Sequence, residues 1–125
     1  MLFGIAVGGA LGTLARWWIG GWAQRWSAEF PVGTLAINVG GSFLLGFLVR
    51  YLTQTPATPE IRAALTIGFC GGFTTFSTFA YEAARLLEDG SGGRAMMYAL
   101  LSVLLSLGAV FAGFALARAL LAPGR

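Results

Sequence analysis

Residues 68–79 read Gly-Phe-Cys-Gly-Gly-Phe-Thr-Thr-Phe-Ser-Thr-Phe, the densest chemistry in the chain. The hydroxyls of Thr74, Thr75, Ser77 and Thr78 alternate with phenylalanines behind the pair Gly71-Gly72. Glycine is a weak helix former and threonine an indifferent one, so a break or unwound turn is expected at Gly71-Gly72. Inside an apolar span, such a break is tolerated only where protein buries it or where it lines a cavity. It would free carbonyls around Gly71 and Thr74, and freed carbonyls in transporters hold cations. Phe76 and Phe79 lie three apart and share a helical face. Their ring edges carry partial positive charge and can face an anion weakly. Packing or lipid contact is the simpler reading of one phenylalanine, and it weakens where four are interleaved with hydroxyls.

Three further polar residues stand in apolar surroundings, where polar groups are costly and often functional. Arg16 precedes Trp17-Trp18. It reads either as a snorkelling residue at an aromatic belt or as a cation in a vestibule that draws in an anion. Asn38 is flanked by Ile37 and Val39 and followed by Gly40-Gly41-Ser42. Its amide either ties helices together or donates into a pore. Glu82 lies one turn beyond Thr78. It reads as a solvated partner of Arg85 or Arg16, or as a group that orders the hydroxyls.

The elements that must hold these residues are hydrophobic. Of 125 residues, 57% are hydrophobic and 10% charged, against about 25% charged in a soluble domain. A core large enough to hide so much apolar surface does not exist at this length, so lipid is the expected solvent. Four spans are predicted, at about 2–23, 32–52, 61–87 and 95–121. Each reaches the roughly 20 residues a helix needs to cross the hydrocarbon. Pro31, Pro56, Pro59 and Gly90 to Gly93 punctuate them. Only helices satisfy the backbone in lipid here. The fold class is therefore an all-α integral membrane protein forming a single domain over 1–125, with short connections and antiparallel neighbours. No internal repeat is visible. The first span lacks a basic n-region and is expected to be retained rather than cleaved.

Charge and composition exclude several classes. All eight basic residues are arginine, the net charge is +3, and there is no histidine. The arginines lie near span ends rather than on one face, so nucleic acid is not an expected partner. Cys70 is the only cysteine, which leaves no internal disulfide and no Cys/His metal cluster. No nucleophile is paired with a base, no span holds paired carboxylates, and no phosphate loop is present; the chain is not read as an enzyme. Four spans place both termini on one side, with Arg50, Arg62, Arg118 and Arg125. The other side carries Arg25, Arg85 and Arg94, plus Arg16 if it snorkels that way. Orientation normally follows an arginine and lysine excess, and almost none exists. The near balance allows insertion both ways round and antiparallel pairing of two copies, or one orientation fixed by other features. Gly4, Gly8 and Gly12 follow at four-residue spacing, and Gly40, Gly41, Gly46, Gly108 and Gly113 lie in other spans. Small residues allow close helix approach, within the chain or between copies.

The 68–79 motif, the segment 33–38 leading to Gly40 and Ser42-Phe43, and the Gly-rich first span with Arg16 resemble the Fluc (CrcB-type) fluoride channels of microbial membranes. The resemblance covers nearly the whole chain. It implies an antiparallel, dual-topology homodimer of four-span subunits with the third helix broken at mid-membrane. It implies a multi-pass protein of the bacterial inner membrane, with fluoride, lipid and a second copy as partners. It implies a structural sodium ion at the dimer centre, held by the backbone carbonyls of Gly71 and Thr74. It implies two pores lined by Phe76 and Phe79, the Asn38 amide, Ser77 and Thr78, with Thr75 and Glu82 in the polar track. Tyr98 matches a pore-facing position, and Arg16 a vestibule or structural one. Phe73 departs from the family pattern, which favours an aliphatic residue there. Fluoride holds its water tightly, so its pore must supply donors yet release the ion. No arginine interrupts 34–49 or 64–80. A proton-coupled exporter like the small multidrug resistance transporters needs a carboxylate deep in the first span, but the first acidic residue is Glu29. A non-transporting scaffold would leave Asn38 and the hydroxyls without a purpose.

Overall fold

Four helices long and apolar enough to cross a membrane run back and forth in the computed structural model, which describes residues 1–124. Helix α1 spans Leu2–Ala23 and tightens into a 3-10 turn at Gln24–Trp26. Helix α2, Val32–Thr53, begins directly after Pro31. The third span, Pro59–Glu88, is composite. It starts as α3 (Pro59–Ala63), with Pro59 in the first turn and the Thr58 hydroxyl accepting from the Ile61 N–H. These are ordinary helix-start devices. A π-helical stretch, Ala64–Cys70, follows, then the single turn α4 (Gly71–Phe73). The chain is extended at Thr74 and Thr75 before α5 (Phe76–Glu88) resumes. Gly90, at φ +76°, ends α5. The Ser91 and Gly90 N–H groups donate back to the Leu86 and Leu87 carbonyls, a closure that the left-handed glycine permits. Helix α6, Gly92–Leu121, completes the bundle.

The break expected in the third span is present, but three residues later than Gly71-Gly72. Both glycines are helical, and the extended pair is Thr74-Thr75. The glycines serve packing instead. A Cβ on Gly72 would meet the Gly9 backbone, and one on Gly8 or Gly12 would run into the Ala64 or Phe69 carbonyl. Helix α1 therefore lies backbone to backbone on the π-helical stretch, a contact only small residues allow. Helices α2 and α6 meet the same way, through Gly46 against Val110 and Gly113 against the Phe43 carbonyl. Gly8, Gly12, Gly46 and Gly113 thus pack within the chain, whereas Gly40, Gly71 and Gly108 have open space beside them.

Few large side chains are fully buried; Tyr98, Ile37 and Cys70 lead. Large apolar residues cover the outer faces of every span, as they must where lipid replaces water.

Candidate functional site

The break is held by a side chain from another helix. In a continuous helix the Thr75 N–H would donate to the Gly71 carbonyl. Here it donates to Asn38 Oδ1 at 2.8 Å, and Asn38 Nδ2 donates to the Thr75 carbonyl at 2.9 Å. The primary amide of Asn38 mimics a peptide and closes a two-bond pair with one. The Thr78 N–H is likewise diverted from the Thr74 carbonyl to the Thr75 hydroxyl, at 3.2 Å. Thr75 is thereby the N-cap of α5. Its hydroxyl also lies 3.0 Å from that of Thr78 and 3.3 Å from that of Ser77. The Gly71 and Thr74 carbonyls consequently lose their helical donors. Thr74 regains one, because Arg16 Nη1 donates to its carbonyl at 3.2 Å. Arg16 is thus at the depth of the break and does not snorkel to either end. The arginine balance is then Arg50, Arg62 and Arg118 at one end against Arg25, Arg85 and Arg94 at the other; Arg125 lies outside the described residues.

Two clefts open on either side of the break, and Thr75 lines both. The larger, about 650 Å³, holds Arg16, Thr34, Thr78 and Glu82. Glu82 accepts a hydrogen bond from the Thr34 hydroxyl. Its partner is therefore neither Arg85 nor Arg16; among the described residues the ion pair found is Arg94 with Glu29, at 2.9 Å. The smaller cleft, about 300 Å³, is lined by Asn38, Ser42, Phe76, Phe79, Ser102 and Ser106, with Thr74 and two aliphatic residues. Among the described residues, no charged side chain lines it. The Phe76 and Phe79 rings lie 5.6 Å apart, tilted by 46°. Phe76 is 79% exposed, so its ring has an open side in the single chain.

The residues singled out in the sequence are therefore divided. Asn38, Phe76, Phe79 and Thr75 share the smaller cleft; Arg16, Thr78, Glu82 and Thr75 share the larger. Ser77 is exposed and lines neither. Tyr98 also lines neither: it is fully buried, with its ring 5.0 Å from Phe79. Ser102 and Ser106 were missed, although Tyr98, Ser102 and Ser106 recur every four residues along α6, a polar stripe readable in the sequence. Thr34, Asn38 and Ser42 make the matching stripe on α2. The Ser102 hydroxyl is buried and finds no partner among the described residues.

A family described as CrcB-like protein, Camphor Resistance (CrcB), matches residues 3–114. The chain belongs to the CrcB-like family. Similar proteins named fluoride-specific ion channel FluC occur in several bacteria. That of Methylococcus capsulatus is 50% identical over 121 residues, covering 95% of this chain but 53% of its own length, so the chain spans about half of that relative. That of Geobacter metallireducens is 48% identical over 116 residues, covering 91% of this chain and 94% of itself. That of Agrobacterium fabrum is 46% identical over 116 residues, with 91% and 93% covered. With four spanning helices and bacterial relatives of this kind, the chain is a multi-pass protein of the plasma membrane.

Proposed function

We propose that this member of the CrcB-like family is a fluoride-selective channel, not an enzyme, that lets fluoride leave the cell passively. The observation that carries the reading is the smaller cleft. It offers an anion an amide, several hydroxyls and two aromatic rings, with no full positive charge among the described residues. Fluoride is small and strongly hydrated, and such donors replace its water. A fixed arginine would hold it too long for conduction. Asn38 Nδ2 keeps a second N–H beyond the one given to Thr75. Ser42, Ser102 and Ser106 extend the donor set along the cleft. Arg16, in the wider cleft with Thr34, Thr78 and Glu82, raises the local anion concentration without standing in the narrow part.

The smaller cleft is open, and the exposed ring of Phe76 has a free side. We take the functional unit to be two copies arranged antiparallel, so that each cleft is closed by the other copy and the dimer carries two pores. The nearly even arginine distribution supports both orientations. A structural sodium ion fits the chemistry of the break as half a set. The Gly71 carbonyl lacks its helical donor, and the Thr74 carbonyl has a lone pair beyond the one used by Arg16. A second copy would supply the other half. Bound there, the ion would neutralise carbonyl dipoles converging at the centre. No step of conduction runs through it.

The reading is tested by reconstituting the purified protein in liposomes and following release with a fluoride electrode, with and without sodium. Fluoride is expected to escape and chloride to remain. Chloride release as fast as fluoride would overturn the reading. Phe76→Ile is expected to cut fluoride release while the dimer stays intact on size exclusion.

A further inference from the structure

We propose that Phe30, in the α1–α2 connection outside the spans, is a positioning residue for the cleft ring of Phe79, acting through Tyr98. The proposal rests on the channel reading, in which the Phe79 edge faces the ion. The second torsion of a phenylalanine is broad, so an edge is aimed only if neighbours hold the ring. Phe76, mostly exposed, cannot do so from one side. The buried neighbour is Tyr98, 5.0 Å away at 57°. The tyrosine is 0% exposed, so packing restrains its ring. Phe30 meets that ring at 5.5 Å and 77°, a T-shaped contact. Four rings thus run in series from the connection to the cleft, through Phe30, Tyr98, Phe79 and Phe76.

The connection carrying Phe30 is anchored rather than loose. Gln24 Nε2 donates to the Ser27 carbonyl at 2.6 Å and to the Phe30 carbonyl at 2.9 Å. Gln24 Oε1 accepts from the Gly33 N–H at 2.9 Å, at the start of α2. The Phe30 N–H donates to the Ser27 hydroxyl at 3.1 Å. Side chains thus fix both backbone groups of Phe30, in a segment with no helix of its own.

The test uses the full chain in liposomes, comparing Phe30→Leu with Phe30→Tyr. A second preparation carries 3-fluorophenylalanine at position 79, whose fluorine resonance reports the ring's orientation. Phe30→Leu is expected to lower fluoride release about three- to tenfold, the range one aromatic pair contact supports, and to broaden or split the resonance. Phe30→Tyr is expected to restore both. Gln24→Met loosens the connection with Phe30 intact and is expected to broaden the same resonance; it carries the test if Phe30→Leu does not fold. An unchanged resonance overturns the proposal, even if stability falls, because that marks a purely structural role. Wild-type release from Phe30→Leu also overturns it. If Phe76→Ile too leaves release unchanged, the ring-edge mechanism has failed, and not this inference alone; chloride release as fast as fluoride is the result that marks failure of the channel reading.

Discussion

Asn38→Leu is the sharpest perturbation of the break, because it keeps the branched shape and removes both bonds to Thr75. The cost follows from the geometry. The Thr75 N–H and carbonyl each lose their partner, in a residue only 9% exposed. Side-chain hydrogen bonds between membrane helices average about 0.6 kcal/mol, with a maximum near 1.7. Two of them give about 1–3 kcal/mol. Orphaned buried backbone groups push toward the upper end, at about 1–3 kcal/mol apiece. The apolar gain of leucine is small, since the side chain is already half-buried and lipid is not water. The expected loss is therefore about 2 kcal/mol, roughly a thirtyfold shift in the unfolding equilibrium. Unfolding by SDS in mixed micelles, followed by tryptophan fluorescence, measures it. Asn38→Asp keeps the acceptor for the Thr75 N–H and is expected to fall between wild type and Asn38→Leu when protonated. An Asn38→Leu protein within about 0.5 kcal/mol of wild type, below one average bond, would refute the claim that Asn38 holds the break.

Three further expectations follow from the packing. Gly12→Ala drives a Cβ into the Phe69 carbonyl, which cannot rotate away, and should destabilise the same unfolding curve strongly; Gly93→Ala has open space and should be neutral or up to about 1 kcal/mol stabilising as a better helix former. Thr75→Val removes the α5 N-cap and should cost about 1–2 kcal/mol, whereas Thr75→Ser should retain most of the cap. Glu29→Gln breaks the exposed pair with Arg94, and should change stability by less than about 1 kcal/mol with fluoride release unaltered; a larger loss would mean the connection is less solvated than it is here.

The sequence by itself determined the class of molecule. Composition and span length leave lipid as the only solvent for so much apolar surface, and lipid leaves the helix as the only backbone solution. It also marked the third span as irregular, because glycine and threonine cluster where an apolar helix would otherwise run on. Asn38, Phe76 and Phe79 were visible as residues out of keeping with their surroundings. The serines of α6 carried a signal too, a repeat of four, but one easily passed over beside the richer 68–79 motif.

Tertiary structure decided what local propensity could not. Propensity put the break at Gly71-Gly72. The structure moves it to Thr74-Thr75, because α1 packs so tightly that Gly72 is needed as bare backbone, and because Asn38 from α2 takes the Thr75 N–H. By its tryptophan neighbours Arg16 reads either as a belt residue or as a vestibule cation; the Thr74 carbonyl freed by that break draws it to mid-bundle. The polar residues of one short motif are split between two clefts, since residues on either side of an extended pair no longer follow one helical face. Each of these outcomes depends on which groups of a neighbouring helix come within bonding distance. Spacing along the chain does not contain that information.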